Sequence, residues 1–281
     1  MKVALTGASG LVGRSLLRGL VSKGHEVVAL GRRPVGGAEW RGWRLGETAS
    51  LDGCDVLVHA AFSHLPGRYR GGEGGDPEGF LARNRDGSLR LFKEAHAAGP
   101  GRVVFLSSRA VYGGYPPGTD LDEHLPPRPD TLYGEMKWAV EQGLSALAGP
   151  GFATASLRAT GIYGTGPDHK WRGLFDEFFS GRPIAPRVAT ELYGDDLSAA
   201  VALLLEVPEA ALEPRSFNAS DITLDRRDLL ERVVRITGQE GALPERADAG
   251  RVSAMRCDRL RALGWQPGGF EALDAALRGM L

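Results

Sequence analysis

The sequence predicts an α/β protein built on a doubly wound parallel sheet, with a smaller C-terminal substrate lobe. Three observations carry that prediction. A short apolar run, Val3-Ala4-Leu5, enters the glycine turn Thr6-Gly7-Ala8-Ser9-Gly10-Leu11-Val12-Gly13 and leaves it with helical apolar spacing at Leu16, Leu17, Leu20 and Val21. Further apolar runs alternate with helical stretches through the first 160 residues. The runs are continuous rather than alternating, as in strands buried on both faces. Right-handed crossovers then wind the helices onto both sides of the sheet.

The elements follow in order. Val27-Val28-Ala29-Leu30 reads as the second strand, a piece around Trp43-Arg44-Leu45 as the third and Val56-Leu57-Val58 as the fourth. Residues 78–98 have helical spacing, Val103-Val104-Phe105-Leu106 is a buried strand, 131–148 is helical and Thr154-Ala155-Ser156-Leu157 is another strand. Beyond about residue 160 the pattern becomes irregular, with helices expected at 171–180, 195–206, 225–237 and 270–280. Residues 1–160 are therefore expected to form a dinucleotide-binding domain, and 161–281 mainly a substrate-binding lobe, partly interleaved with the sheet. Residues 63–77 are glycine-rich and read as a mobile flap, and 113–130 form a proline-rich, acidic loop.

Bulk properties exclude several classes. The net charge is −1 over 281 residues, which gives no support to a nucleic-acid groove or an anionic membrane surface. Two cysteines, Cys54 and Cys257, make neither a disulfide framework nor a zinc cluster, and the six histidines lack metal-ligand spacing, so no metal is expected. No apolar run reaches the length of a membrane span, and the first strand begins at residue 2. A cytoplasmic enzyme is expected.

A strand, a glycine turn and a helix N-terminus together suit a pyrophosphate. Glycine lets the backbone approach the ligand, and the helix end offers N–H groups. Gly7, Gly10 and Gly13 carry that reading, with Ser9, Leu11 and Val12 between them. Tyr133 and Lys137 lie four apart on an expected helix, so their side chains share one face. Lysines are scarce, five in all, which gives this pair weight. Ser108 ends the apolar run at 103–106, the end where parallel sheets place reactive groups. A free phenol ionises near pH 10, and a neighbouring ammonium lowers that value. Tyr133 is then suited to take a proton from an alcohol, with Ser108 holding the oxygen and Lys137 also reaching the nicotinamide ribose. The end of the second strand carries Gly31-Arg32-Arg33 rather than an acidic residue for a ribose 2′-OH. Two guanidiniums attract a 2′-phosphate, so NADP(H) is favoured over NAD(H).

With these motifs in order, the chain resembles the extended short-chain dehydrogenase/reductases, the NAD-dependent epimerase/dehydratase family with its Rossmann-like sheet. The resemblance rests on residues 6–13, Asp55-Val-Leu-Val-His-Ala-Ala61, Ser107-Ser-Arg-Ala-Val-Tyr-Gly113, Tyr133-x-x-x-Lys137 and Leu157-Arg-Ala-Thr-Gly-Ile-Tyr-Gly164. It continues in Tyr193-Gly-Asp-Asp196 and Leu263-Gly-Trp-Gln-Pro267. Ser108 lies 25 residues before Tyr133, the family's spacing, which selects it over Ser107. The resemblance implies Asn84 as an asparagine near the active site, and the cofactor-binding set is completed by Leu45, Ala60, Ala61 and Lys137. It also implies a homodimer through residues 80–98 and 131–148.

The chain departs from the family in three places. Members acting on nucleotide sugars commonly carry an asparagine where Gly161 stands. They also carry a diphosphate-holding arginine where Ala189-Thr190-Glu191-Leu192 stands, the nearest arginine here being Arg187. Dehydratases place an acidic pair after the catalytic hydroxyl, where this chain has Arg109-Ala110, so water elimination is not expected. Phe62, His64, Arg109, Tyr112, His169 and Trp171 lie in loops after strands and are candidates to touch the substrate. The first expectation is an NADP(H)-dependent oxidoreductase interconverting a secondary alcohol and a carbonyl on a small polar or sugar-like substrate. A sugar or nucleotide-sugar epimerase is the alternative, and a non-catalytic dinucleotide sensor the third reading.

Overall fold

The computed structural model describes residues 1–65, 71–166 and 169–281. Among these, seven parallel strands form the main sheet. They are β1 (Lys2–Thr6), β2 (Glu26–Gly31), β3 (Glu39–Gly42), β4 (Val56–His59), β5 (Arg102–Ser108), β6 (Ala153–Ala159) and β9 (Ser216–Ala219), in the order β3-β2-β1-β4-β5-β6-β9. The order reverses between β1 and β4, whose C-terminal ends, Thr6 and His59, lie in register. In such sheets ligands bind in the crevice outside that switch point.

The sheet is covered on both faces, as its continuous apolar strands require. On one side α1 (Leu11–Ser22) and α6 (Gly194–Glu206) pack together over Leu5, Val58, Ala155 and Leu157. On the other lie α2 (Pro77–Leu81), a π-helical turn at Ala82–Asp86, α3 (Gly87–Ala98) and α4 (Leu132–Ser145), over Val28, Leu57, Val103 and Phe105. A second sheet, β10 (Ile222–Asp225), β8 (Val188–Tyr193) and β7 (Gly161–Tyr163), forms a third core with α5 (Arg172–Phe179), α7 (Arg226–Thr237) and α9 (Gly269–Arg278). A short α8 (Asp258–Ala262) packs beside β9. β9 comes from the C-terminal half yet completes the first sheet.

The third strand departs from expectation. It spans Glu39–Gly42, not the piece around Trp43. It is an edge strand with mostly exposed residues, so it carries no apolar run, and the apolar signal came from Trp43 and Leu45, which follow it and pack into the core. Part of the expected flap, residues 66–70, and residue 167 of the break at 164–167 lie outside the described residues.

Candidate active site

The glycine turn forms where the sequence places it. Gly7 adopts φ +77°, and a Cβ there would sit 2.8 Å from the Ala60 carbonyl carbon and the Ala61 nitrogen. Gly13 presses on the Gly7 carbonyl so closely that a Cβ would overlap it. Gly10 differs, because the nearest protein atom to its would-be Cβ is 3.4 Å away, so its bare backbone faces outward. Gly10 is also the N-cap of α1 and provides no side-chain cap, which leaves the first-turn N–H groups to an external acceptor. Ser9 and Gly10 are exposed and Leu11 and Val12 half-buried. This cradle fits a dinucleotide pyrophosphate.

A relay of side chains joins the turn to the end of β4. Thr6 Oγ1 accepts from the backbone N–H of Ala60 (3.1 Å) and Ala61 (3.0 Å), which fills both its lone pairs. Its own proton is therefore donated to His59 Nδ1, 2.8 Å away. The neutral imidazole then carries its proton on Nε2 and donates to Ser88 Oγ (2.9 Å), which donates to the Asn84 carbonyl (2.5 Å). Burial, and secondarily the charge of Lys137, hold the His59 pKa down to about 3, so the ring stays neutral at neutral pH. The relay explains the strong fixing of Ala60 and Ala61 beside the glycine turn.

The catalytic candidates gather at the adjoining strand end. Ser108 ends β5 half-buried, and its Oγ accepts from Ala110 N (3.1 Å), which leaves the hydroxyl proton to donate. Tyr133 sits in the first turn of α4, half-buried, its ring centroid 5.1 Å from that of Phe62. The helix N-terminus comes close because Gly134 has no side chain: a Cβ there would lie 2.5 Å from the Ala110 carbonyl oxygen. One turn on, Lys137 is buried, donates from Nζ to the Leu106 carbonyl at 2.8 Å, and lies 5.9 Å from the Tyr133 ring centroid. Burial lowers its pKa to about 7, and Glu141 opposes that shift.

Glu141, a further turn along α4, was not foreseen, although its spacing of four from Lys137 is readable in the sequence. It accepts from Ser107 Oγ and pairs with Arg158 of β6 at 2.7 Å, both side chains being buried. Arg158 Nη1 in turn donates to the Tyr112 hydroxyl at 2.5 Å.

The other expected contact residues take the following positions. Tyr112 is buried, and its one hydroxyl proton lies between the Asp122 carbonyl (3.0 Å) and Asn218 Oδ1 (3.3 Å) while the oxygen accepts from Arg158, so its polar atom is engaged within the interior. Burial pushes its pKa up to about 12. Asn84 is 2% exposed, with Nδ2 donating to the carbonyls of Ser63 (2.8 Å) and Phe80 (3.0 Å) and Oδ1 accepting from Ser63 N (2.8 Å). It pins the segment after β4. Trp171 is buried, stacked on Tyr163 with centroids 5.0 Å apart, and His169 is buried beside Phe175. Arg109 donates from Nε (3.1 Å) and Nη2 (2.8 Å) to the Ser253 carbonyl. Leu45 packs on the core near Gly87. Phe62 packs beside Tyr133 and stacks on the half-buried His64 with centroids 5.0 Å apart. Arg32 and Arg33 are exposed just past β2. No metal-binding group of side chains occurs among the described residues.

A glycine-cradled helix end, with a tyrosine–lysine pair on the next face of the same sheet, defines an NAD(P)-dependent enzyme of the extended short-chain dehydrogenase/reductase type. The chain belongs to the NAD dependent epimerase/dehydratase family, whose model matches residues 3–220. The UDP-glucose 4-epimerase of Streptomyces lividans is 30% identical over 312 residues, covering 95% of this chain and 91% of that protein. A 4-hydroxy-2-methyl-3-oxo-4-farnesyl-3,4-dihydroquinoline-1-oxide ketoreductase of Stigmatella aurantiaca is 33% identical over 179 residues, covering 58% and 51%. The solved structure of MoeE5 in complex with UDP-glucose and NAD is 26% identical with a TM-score of 0.80, covering 100% of this chain and 97% of that one. The epimerase, matched over nearly the whole of both chains, favours the epimerase alternative over net alcohol–carbonyl oxidoreduction, the first expectation from the sequence.

Proposed function

We propose that the protein is an NAD(P)-dependent sugar epimerase, with Tyr133 as acid and base, Ser108 as the hydrogen-bond donor to the reacting oxygen and Lys137 as the ammonium beside the phenol. The observation that carries this reading is the buried Lys137, held by the Leu106 carbonyl one helical turn from Tyr133 and at the end of the strand that bears Ser108. A bound nicotinamide ring supplies the hydride acceptor and donor. Tyr133 takes the proton of a secondary hydroxyl as its carbon loses hydride, and returns a proton to the oxygen when hydride comes back to the opposite face. Ser108 donates to that oxygen throughout. Gly7, Gly10, Gly13 and the first turn of α1 would hold the pyrophosphate, with Ala60 and Ala61 lining the crevice.

The exposed Arg32 and Arg33, with no carboxylate at the end of β2, support NADP(H) as the preferred cofactor. The side-by-side packing of α3 and α4 supports a homodimer through those helices, which sedimentation of the purified protein tests. The reaction is tested by incubating the protein with sugars and trace cofactor and following stereochemistry by NMR. Epimer formation with no net change in cofactor absorbance is expected. Stoichiometric oxidation or reduction of cofactor would return the assignment to a simple oxidoreductase.

A further inference from the structure

A cavity of about 240 Å³ opens between α5, β8 and the start of α7, outside the tyrosine–lysine centre. Its position follows from the strands. Ser108 pairs in register with Ala159 at the end of β6, and two residues later Gly161 pairs in register with Glu191 of β8. Two residues of extended chain span about 7 Å, so the inner end of the cavity adjoins the proposed centre.

The lining carries an unusual charge arrangement. Lys170 forms an ion pair with Glu191, whose side chain is 5% exposed. Gly161 makes room for it: a Cβ there would lie 2.9 Å from Glu191 Oε2 and 3.1 Å from Lys170 Nζ. Burial pushes both partners toward their neutral forms, and the couple contributes no net charge whichever atom holds the proton. The remaining charged residues of the described lining are Arg187, Arg226 and Glu177. Arg226 N donates to the Arg187 carbonyl at 2.9 Å, so the two arginines spring from adjoining points, and no hydrogen bond or ion pair among the described residues engages the Arg187 guanidinium. Two guanidiniums against one carboxylate leave a single uncompensated positive charge. A nucleoside diphosphate brings at least two negative charges against this surplus of one, beside Glu177 of the same lining, whereas one carboxylate matches the surplus and suits a guanidinium fork.

We infer that this cavity is the subsite for one carboxylate on the substrate, gripped by Arg187, and that its single surplus positive charge disfavours nucleoside diphosphates, so that the substrate is a free sugar acid. The inference rests on the reading of the protein as a sugar epimerase. Calorimetric titration of the NADPH-saturated protein with D-galacturonate, D-glucuronate, UDP-glucose and UDP tests it. A hexuronate is expected to bind at least tenfold more tightly than UDP-glucose or UDP, and Arg187→Ala, a change at an exposed residue, is expected to weaken hexuronate binding about tenfold at an unchanged melting temperature. Tighter binding of UDP or UDP-glucose, absence of hexuronate binding, or indifference to Arg187→Ala would overturn it. NMR of the same mixtures separates the two readings. A hexuronate that binds through Arg187 without being epimerised sinks the proposed reaction and leaves the subsite standing, whereas epimerised UDP-glucose sinks the subsite and leaves the reaction standing.

Discussion

Lys137 Nζ lies 5.9 Å from the centroid of the Tyr133 ring while one of its three N–H groups donates to the Leu106 carbonyl. The strand thus holds the ammonium one helical turn from the Tyr133 phenol. It is also 4.6 Å from the Phe105 ring centroid and 5.4 Å from that of Phe62, so aromatic faces stand where water would otherwise screen it. A charge placed in this way acts on Tyr133 through space, and its effect depends on whether the lysine is protonated.

Tyr133→Phe removes the only proton-transferring atom proposed for the reaction and leaves the ring packing on Phe62. Turnover should fall by about 10²–10⁴-fold, the range typical for loss of a general acid–base group. Cofactor affinity, measured by fluorescence titration, should change less than about twofold, because Gly7, Gly10 and Gly13 are untouched.

Lys137 ties stability to pH. Its pKa in the folded chain is about 7, against 10.5 for a free lysine, so between these values the unfolded chain holds a proton that the native chain lacks. Stability from this residue therefore rises with pH across the window. From pH 7 to pH 9 wild type should gain about 2 kcal/mol relative to Lys137→Met. Paired urea denaturation curves at the two pH values measure the difference, and parallel behaviour of the two proteins would show that Lys137 keeps an ordinary pKa.

Glu141 should set where that titration falls. Its charge favours the Lys137 ammonium, so Glu141→Gln should move the alkaline limb of the kcat/KM profile, expected near pH 7, to lower pH. The same change leaves Arg158 buried without its carboxylate and should cost about 3–5 kcal/mol of stability. A lower melting temperature with an unmoved limb would confine Glu141 to a structural part.

Arg32→Ala/Arg33→Ala should weaken NADPH binding by about tenfold or more, as expected for losing charge-assisted bonds to a phosphate. Binding of NADH should be nearly unchanged, since neither guanidinium makes a hydrogen bond or ion pair with another described residue. Equal losses for the two cofactors would place the arginines away from any 2′-phosphate.

The fold was largely legible because its strands are apolar on both faces and its helices repeat at helical spacing. β3 was not, since an edge strand with exposed side chains carries no such signal. For the proposed centre, Ser108, Tyr133 and Lys137 were legible because i, i+4 spacing and strand ends are local properties. The commitments of Tyr112 and Asn84 were not. Their partners, Arg158 and Asn218 for the first and Ser63 for the second, are remote in sequence, and only the fold brings them together. The Lys170–Glu191 pair escaped for the same reason, its members being 21 residues apart on different elements.

The three glycines of the turn should separate folding from cofactor binding. Gly13→Ala would drive a methyl into the Gly7 carbonyl, against the helix packed below it, and backbone on both sides leaves no flexible group to yield. Overpacking of this kind costs about 1–3 kcal/mol or more, so the variant should lose stability in the absence of any ligand. Gly10→Ala meets nothing closer than 3.4 Å within the protein, and the φ of −77° at this N-cap is open to alanine, so the cost is confined to the small N-cap preference for glycine. Its melting temperature without cofactor should therefore stay near that of wild type. A methyl at Gly10 does project into the space where the uncapped first turn of α1 faces an incoming pyrophosphate. Cofactor-induced thermal stabilisation should then be largely lost in Gly10→Ala while the fold persists. Retention of the full cofactor shift in that variant would move the pyrophosphate away from the start of α1, and with it the proposed approach of the nicotinamide ring to Tyr133.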